Sequence, residues 1–236
     1  MRSLRWRGFQ AAAVVAVFTF VTLWLLFHHR PGWYQPAIVD EPLLQRAQAD
    51  STATADAISK RIVEAQPVSV TLTDDTVNEW LGALPHLWPE ARRHIPREIS
   101  GLALAFDAGE IRVGGYYNAN GWQVITSLGL IANVSPDGRD ILIKLTGIRG
   151  GSLPVPRFAA EKLLGRALES YRNASSLAAD PETSPVFALR KVDSVSELFE
   201  GVTIRNHFIW PNGKRPFRID SIEADDGQLR LQIEPL

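Results

Sequence analysis

Histidines and paired acids are the residues that could carry chemistry here, because the chain contains no cysteine. That absence excludes disulfides, thiolate metal sites and a cysteine nucleophile. Among five histidines, His28 and His29 flank an apolar run and His207 falls in an expected strand with Arg205. His86 and His94 lie eight apart with Glu90 midway, a spacing that puts three metal-type ligands on one helical face. Pro89 interrupts that interval and breaks the helix such a site would need. No metal and no cofactor is expected.

Asp74-Asp75 and Asp225-Asp226 are the pairs that invite general acid–base catalysis. Each has a simpler local role. Thr73-Asp74-Asp75 supplies an N-cap and first-turn acids for a helix, and Asp225-Asp226-Gly227 is a hairpin turn. The serines form neither GxSxG nor SxxK, and no HExxH occurs. Gly114-Gly115 lies within an expected strand and marks a bulge or a close backbone approach. Gly147-Ile148-Arg149-Gly150-Gly151 ends a strand without the Lys-Ser/Thr of a phosphate loop. No catalytic residues are expected, so the chain reads as a non-enzyme.

The elements that would position these residues begin with an apolar stretch. Residues 9–27 are broken only by Gln10, Thr19 and Thr22. At 1.5 Å per residue they reach about 28 Å, against the roughly 30 Å hydrocarbon core of a bilayer. Trp24, and Trp33 with Tyr34, suit an interfacial aromatic belt. The run ends in Leu25-Leu26-Phe27-His28-His29-Arg30, with no small residue for signal cleavage, so an uncleaved anchor is expected. Arg2, Arg5 and Arg7 precede it, which places residues 1–8 as a basic cytoplasmic tail and the rest outside the cytoplasm. In a Gram-negative cell that is the periplasm. Residues 31–236 hold five more acids than bases, which disfavours nucleic acid as a partner.

Residues 28–42, with three prolines, read as a juxtamembrane linker. Residues 43–236 then read as a single α+β domain. Leu44, Ala47, Ala55, Ile58 and Ile62 share a helical face, serving as a stalk or resting on the domain. A strand at 68–72 leads to a helix ending at Pro85. Alternation over 99–149, with turns at Asp107-Ala108-Gly109 and Ser135–Gly138, predicts a four-stranded antiparallel meander. A helix follows Pro154 and Pro156, a polar surface loop covers 172–190, and a short helix ends at Gly201. The last hairpin turns Leu229, Leu231 and Ile233 inward. The sum is one long curved antiparallel sheet of about seven strands against about four helices. Its meander has a second, partly apolar face in Ile125, Ile131, Leu142 and Ile148, either covered by helices or forming a groove.

Three stretches in this order carry a resemblance: VTLTDDTVNEWLGAL (70–84), GIRGGSLPVPRFAAEKLL (147–164) and FIWPNGKRPFRIDSIEADDGQLRLQIEP (208–235). With the meander between them, residues 66–236 resemble signal-anchored bacterial envelope proteins whose outer domain has the tubular lipid-binding (TULIP-like) fold. The prolines at 85–96 and the loop at 172–190 have no counterpart in that pattern. The resemblance implies a long sheet around a helix that holds acyl chains, with no catalytic residue to transfer.

The expected function is therefore a membrane-anchored module that binds a lipid or another apolar ligand. Its candidate lining residues are Leu102, Leu104, Trp122, Val124, Leu128, Ile143 and Leu163. The alternative is a scaffold for an envelope protein partner, using Trp88, Phe208 and Trp210 as an aromatic contact patch.

Overall fold

The computed structural model describes residues 2–93, 95–119, 121–162, 164–165, 195–209 and 215–236, without the side chains of 2–13, Arg93, Ala119 and Trp122. Helix α1 (Arg2–His28) contains the apolar run without a break. Among the residues whose side chains are described, no helix is long and apolar enough to cross a membrane; positions 9–13 of the run lie outside them.

The segment after α1 is not a free linker. Tyr34 is fully buried, and its hydroxyl donates to the Gly101 carbonyl. Trp33 and Tyr116 join it over Ala103 and Ile125. Tyr34 is thus a core residue and not part of a membrane belt. Burial removes the apolar ring from water while the hydroxyl keeps a hydrogen-bond partner.

Helix α2 (Glu41–Val63) starts where Asp40 accepts a hydrogen bond from the Leu43 amide at 2.8 Å. Its buried residues, Leu43, Ala47, Ile58 and Ile62, hold it on the domain, so it is no stalk. Strand β1 (Val68–Thr73) leads into α3 (Asp74–Leu87), capped by Thr73 through the Thr76 amide. The helix runs two residues past Pro85, because a proline in the last turn sacrifices only one backbone bond. A single turn, α4 (Pro89–Arg93), follows.

The meander consists of β2 (Ile99–Asp107), β3 (Glu110–Ala119), β4 (Trp122–Val134) and β5 (Asp140–Gly150). The far edge of β5 is shared by β6 (Leu153–Pro154) at one end and β7 (Val202–Arg205) at the other. Residues 157–162 and 164–165 are helical, and α5 (Val195–Glu200) precedes Gly201. Strands β8 (Phe208–Ile209), β9 (Pro216–Asp225) and β10 (Gln228–Pro235) complete the described chain.

The α+β class holds, but the hydrogen bonds divide the ten described strands into two sheets instead of one. One sheet has the order β1-β10-β9-β8; the other runs β2-β3-β4-β5-β6 with β7 also on β5. Every described pairing is antiparallel. Leu229 and Ile233 are buried and Leu231 is half-buried, as the alternation predicts. They pair with β1, which the local pattern could not reveal.

Asn206 ties the sheets together. Its Nδ2 donates to Gly138 and Ile219 carbonyls at 2.9 and 2.6 Å, and its Oδ1 accepts from the Ile219 amide at 2.8 Å. The two hairpin ends also meet: the Gly109 amide donates to Ala224 and the Gly227 amide to Phe106.

Candidate functional site

Cross-strand register defines one face of the six-stranded sheet. Leu104, Val113, Leu128 and Ile148 stand opposite one another in one row, and Phe106, Ile111, Leu130 and Leu145 in the next. Ala132 with Ile143 and Val134 with Ile141 extend the face on β4 and β5. Toward the other end the face passes through Gly115 and Thr126 to Tyr117 and Val124. Leu102 belongs with it, since a Cβ on Gly115 would sit 3.4 Å from its Cδ2. Leu102, Leu104, Val124, Leu128 and Ile143 are therefore brought onto a single face.

Ile148 is in this apolar face and not the opposite one. The register shifts at Gly129/Leu130, where Gly147 pairs with Gly129 but Leu145 pairs with Leu130. Thr146 is thereby an extra residue, and one inserted residue reverses the alternation beyond it.

The two halves of the face differ in cover. On β4 and β5, Leu128, Leu130, Leu145 and Ile148 are packed under Ala160, Leu164, Leu198 and Phe199. Leu128 is thus a core residue beneath helices, which corrects its expected place in a ligand groove. On β2 and β3, Leu102, Leu104, Ile111 and Val113 stay half-buried. Val124 is buried and Ile143 half-buried. Leu163 and Trp210 lie outside the described residues, and so does the side chain of Trp122.

Strand β9 lies against β4 and approaches β2 and β3 at one end of the face. There, beside Ile111, lies a cavity of about 290 Å³ between the sheets. Ile111, Ala132, Ile222 and Ala224 line it, with Asn133, Glu223 and Asp225 at the polar side. That volume falls just below the roughly 300–1,000 Å³ of small-molecule pockets.

The opposite face cannot be a greasy groove. At one end Ile125 is buried beneath Tyr34. At the other, Arg112 pairs with Asp107 and Glu110, and Thr146 donates to Glu110. Burial pushes Glu110 up, but the Thr146 and Arg112 hydrogen bonds and the charges of Arg112 and Arg149 outweigh it and hold the carboxyl below its usual range. Gly129 makes this bridge feasible, because a Cβ there would lie 2.2 Å from both Glu110 Oε1 and Thr146 Oγ1.

Within the acid pair at 74–75, Asp74 has an architectural role. Asp74 Oδ1 accepts from the Phe106 amide at 2.8 Å. Its carboxyl is raised by burial and by the nearby Asp75 and Asp107, partly offset by that amide bond. Asp225 pairs with Arg230 at the other hairpin. His86 and Glu90 are exposed, and His94 lies outside the described residues.

The two described aromatic contact residues, Phe208 and Trp88, are not assembled into a patch. Phe208 packs on Ile58, Ile62 and Phe217, near the C-terminal end of α2. Trp88 lies near the other end of α2, in a groove of about 380 Å³ with Leu44, Gln48 and His86. Its ring meets Trp80 edge-on at 6.5 Å, and the buried Trp80 Nε1 has no hydrogen-bond partner among the described residues.

Sequence reasoning marks Gly114-Gly115 as a bulge or close approach but misses the aromatics, Phe27 and Trp33, that approach the sheet glycines where α1 meets it. A Cβ on Gly114 would stand 2.8 Å from Trp33, and one on Gly150 would stand 2.6 Å from the Phe27 ring. The paired glycines were a visible signal of close approach, but their partners lie far away in the chain. No family model matches this chain, and neither a curated protein nor a solved structure matches it significantly.

Proposed function

We propose that this chain is a single-pass, membrane-anchored, extracytoplasmic module that binds a lipid or another apolar ligand without catalysis. The observation that carries the reading is the half-buried apolar strip of Leu102, Leu104, Ile111 and Val113, whose member Ile111 also lines the cavity between the sheets. A half-buried apolar strip beside a cavity favours an apolar occupant. Each buried methylene of a ligand gains about 0.8 kcal/mol, so a modest chain length suffices for useful affinity. The apolar run of α1 supplies the anchor, and the arginines before it set the orientation.

The test is photocrosslinking of the full chain in phosphatidylcholine nanodiscs, with benzophenone-alanine replacing Val113. A lipid adduct at Val113, absent when the probe replaces exposed Asp137, is expected. A folded Val113 variant that captures no lipid would overturn the reading. The exposed Trp88 ring, in its groove beside Leu44 and His86, favours a second reading as a protein-docking site. The same probe at Trp88 would then capture an envelope protein.

A further inference from the structure

The sheet is clamped to the last turn of α1. The Ser152 amide donates to the Leu26 carbonyl at 2.9 Å, and Ser152 Oγ lies 2.7 Å from His29 Nδ1. Gly151, at φ +57°, leaves no room for a side chain: a Cβ would lie 2.3 Å from the Phe27 carbonyl oxygen. The turn between β5 and β6 therefore sits at the depth of residues 26–29, whatever surrounds them.

Composition marks that depth. The apolar run stops at Phe27, and His28, His29 and Arg30 follow directly. At 1.5 Å per residue, the partners of Ser152 lie within about 5 Å of the end of the run along the helix axis. The chain leaving this turn is exposed at Pro154, Pro156, Arg157 and Phe158. Phe158 is 77% exposed. Six residues reach at most about 20 Å, so Phe158 stays near the exit of α1.

We propose that residues 152–158 rest in the headgroup layer of the membrane that α1 enters, with the Phe158 ring inserted beside Pro154 and Pro156. This rests on the reading of α1 as a membrane anchor. The contact is apolar and not electrostatic. Arg157 is held over the Phe199 ring at 5.2 Å and paired with Glu161 at 3.0 Å and Glu200 at 3.8 Å, so its charge is already matched. The partner is thus a neutral lipid surface. Two fixed points, α1 and the segment 152–158, set the domain in one pose over the bilayer.

The cysteine-free chain allows single nitroxide labels at Phe158→Cys, at Phe18→Cys within α1, and at Ala108→Cys in the exposed turn after β2. Collision with oxygen and with an aqueous nickel chelate is measured on the full chain in phosphatidylcholine vesicles. We expect the Phe158 label to be shielded from nickel several-fold relative to Ala108 and less deeply than Phe18. Added anionic lipid should leave it unchanged. A Phe158 label as open to nickel as Ala108, with Phe18 still shielded, overturns the inference and spares the anchor. A Phe18 label open to nickel overturns both. Shielding of Phe158 that appears only with anionic lipid overturns the apolar contact.

Discussion

At the scale of single residues, Tyr34 shows how much one side chain can organise. Its ring meets Tyr116 edge-on at 5.2 Å, while Arg30 stacks on it and donates to its carbonyl. Burial, with a smaller push from Tyr116, raises its phenol to about 12 from the ordinary 10.0, against the pull of Arg30. The native state therefore holds this proton more tightly than the unfolded chain does. The resulting stabilisation is fully present below pH 10 and is lost as pH climbs through about 12. Thermal unfolding followed across that window should show a fall that is partly absent in Tyr34→Phe. The variant should also lose about 1–2 kcal/mol at neutral pH by leaving the Gly101 carbonyl unpaired. An unchanged alkaline slope would show that Tyr34 is not the group responsible.

At the scale of elements, α3 covers the free edge of β2. Asn78 is buried; its Nδ2 donates to the Leu104 carbonyl at 2.9 Å and its Oδ1 accepts from the Leu104 amide at 2.7 Å. Asp74, one turn earlier, takes the Phe106 amide. Spacing of four residues lets one helical face read alternate amides of a strand. An exposed edge would otherwise invite pairing with another chain. Asn78→Leu should cost about 2–3 kcal/mol, because both Leu104 backbone groups lose their partner. Hydrogen exchange at the Leu104 amide should accelerate in parallel. A loss below half a kilocalorie would mean water replaces Asn78 without penalty. The helix itself was legible in the sequence through Thr73, Asp74 and the apolar spacing of Val77, Trp80, Leu81 and Leu84. Its use as a strand cap was not, since Asn78 and Leu104 are separated by 26 residues.

At the scale of the whole molecule, the important junctions are those between α1 and the sheet and between the two sheets. Gly151→Val would force a branched side chain into φ +57° and into the backbone of Phe27 and Leu26. The last turn of α1 should detach, and the Trp33–Tyr34 bond should be cut by chymotrypsin several-fold faster than in the parent chain. Equal resistance would mean that Trp33 and Tyr34 hold the segment without the Gly151 contact.

The sequence by itself determined the elements whose signals are local. Alternation and turn residues drew the meander and the last hairpin, and caps drew α3 and α5, because period and capping act over a few residues. It also brought Leu102, Leu104, Val124, Leu128 and Ile143 onto one face. Tertiary structure decided which half of that face the described helical residues cover. The cover comes from Ala160, Leu198 and Phe199, remote residues whose approach no local period encodes. It likewise decided the division into two sheets and the burial of Tyr34. Both depend on partners such as Asn206 with Ile219, or Tyr34 with Gly101. Such pairings are selected by the free energy of the assembled core, and a single segment carries only half of each.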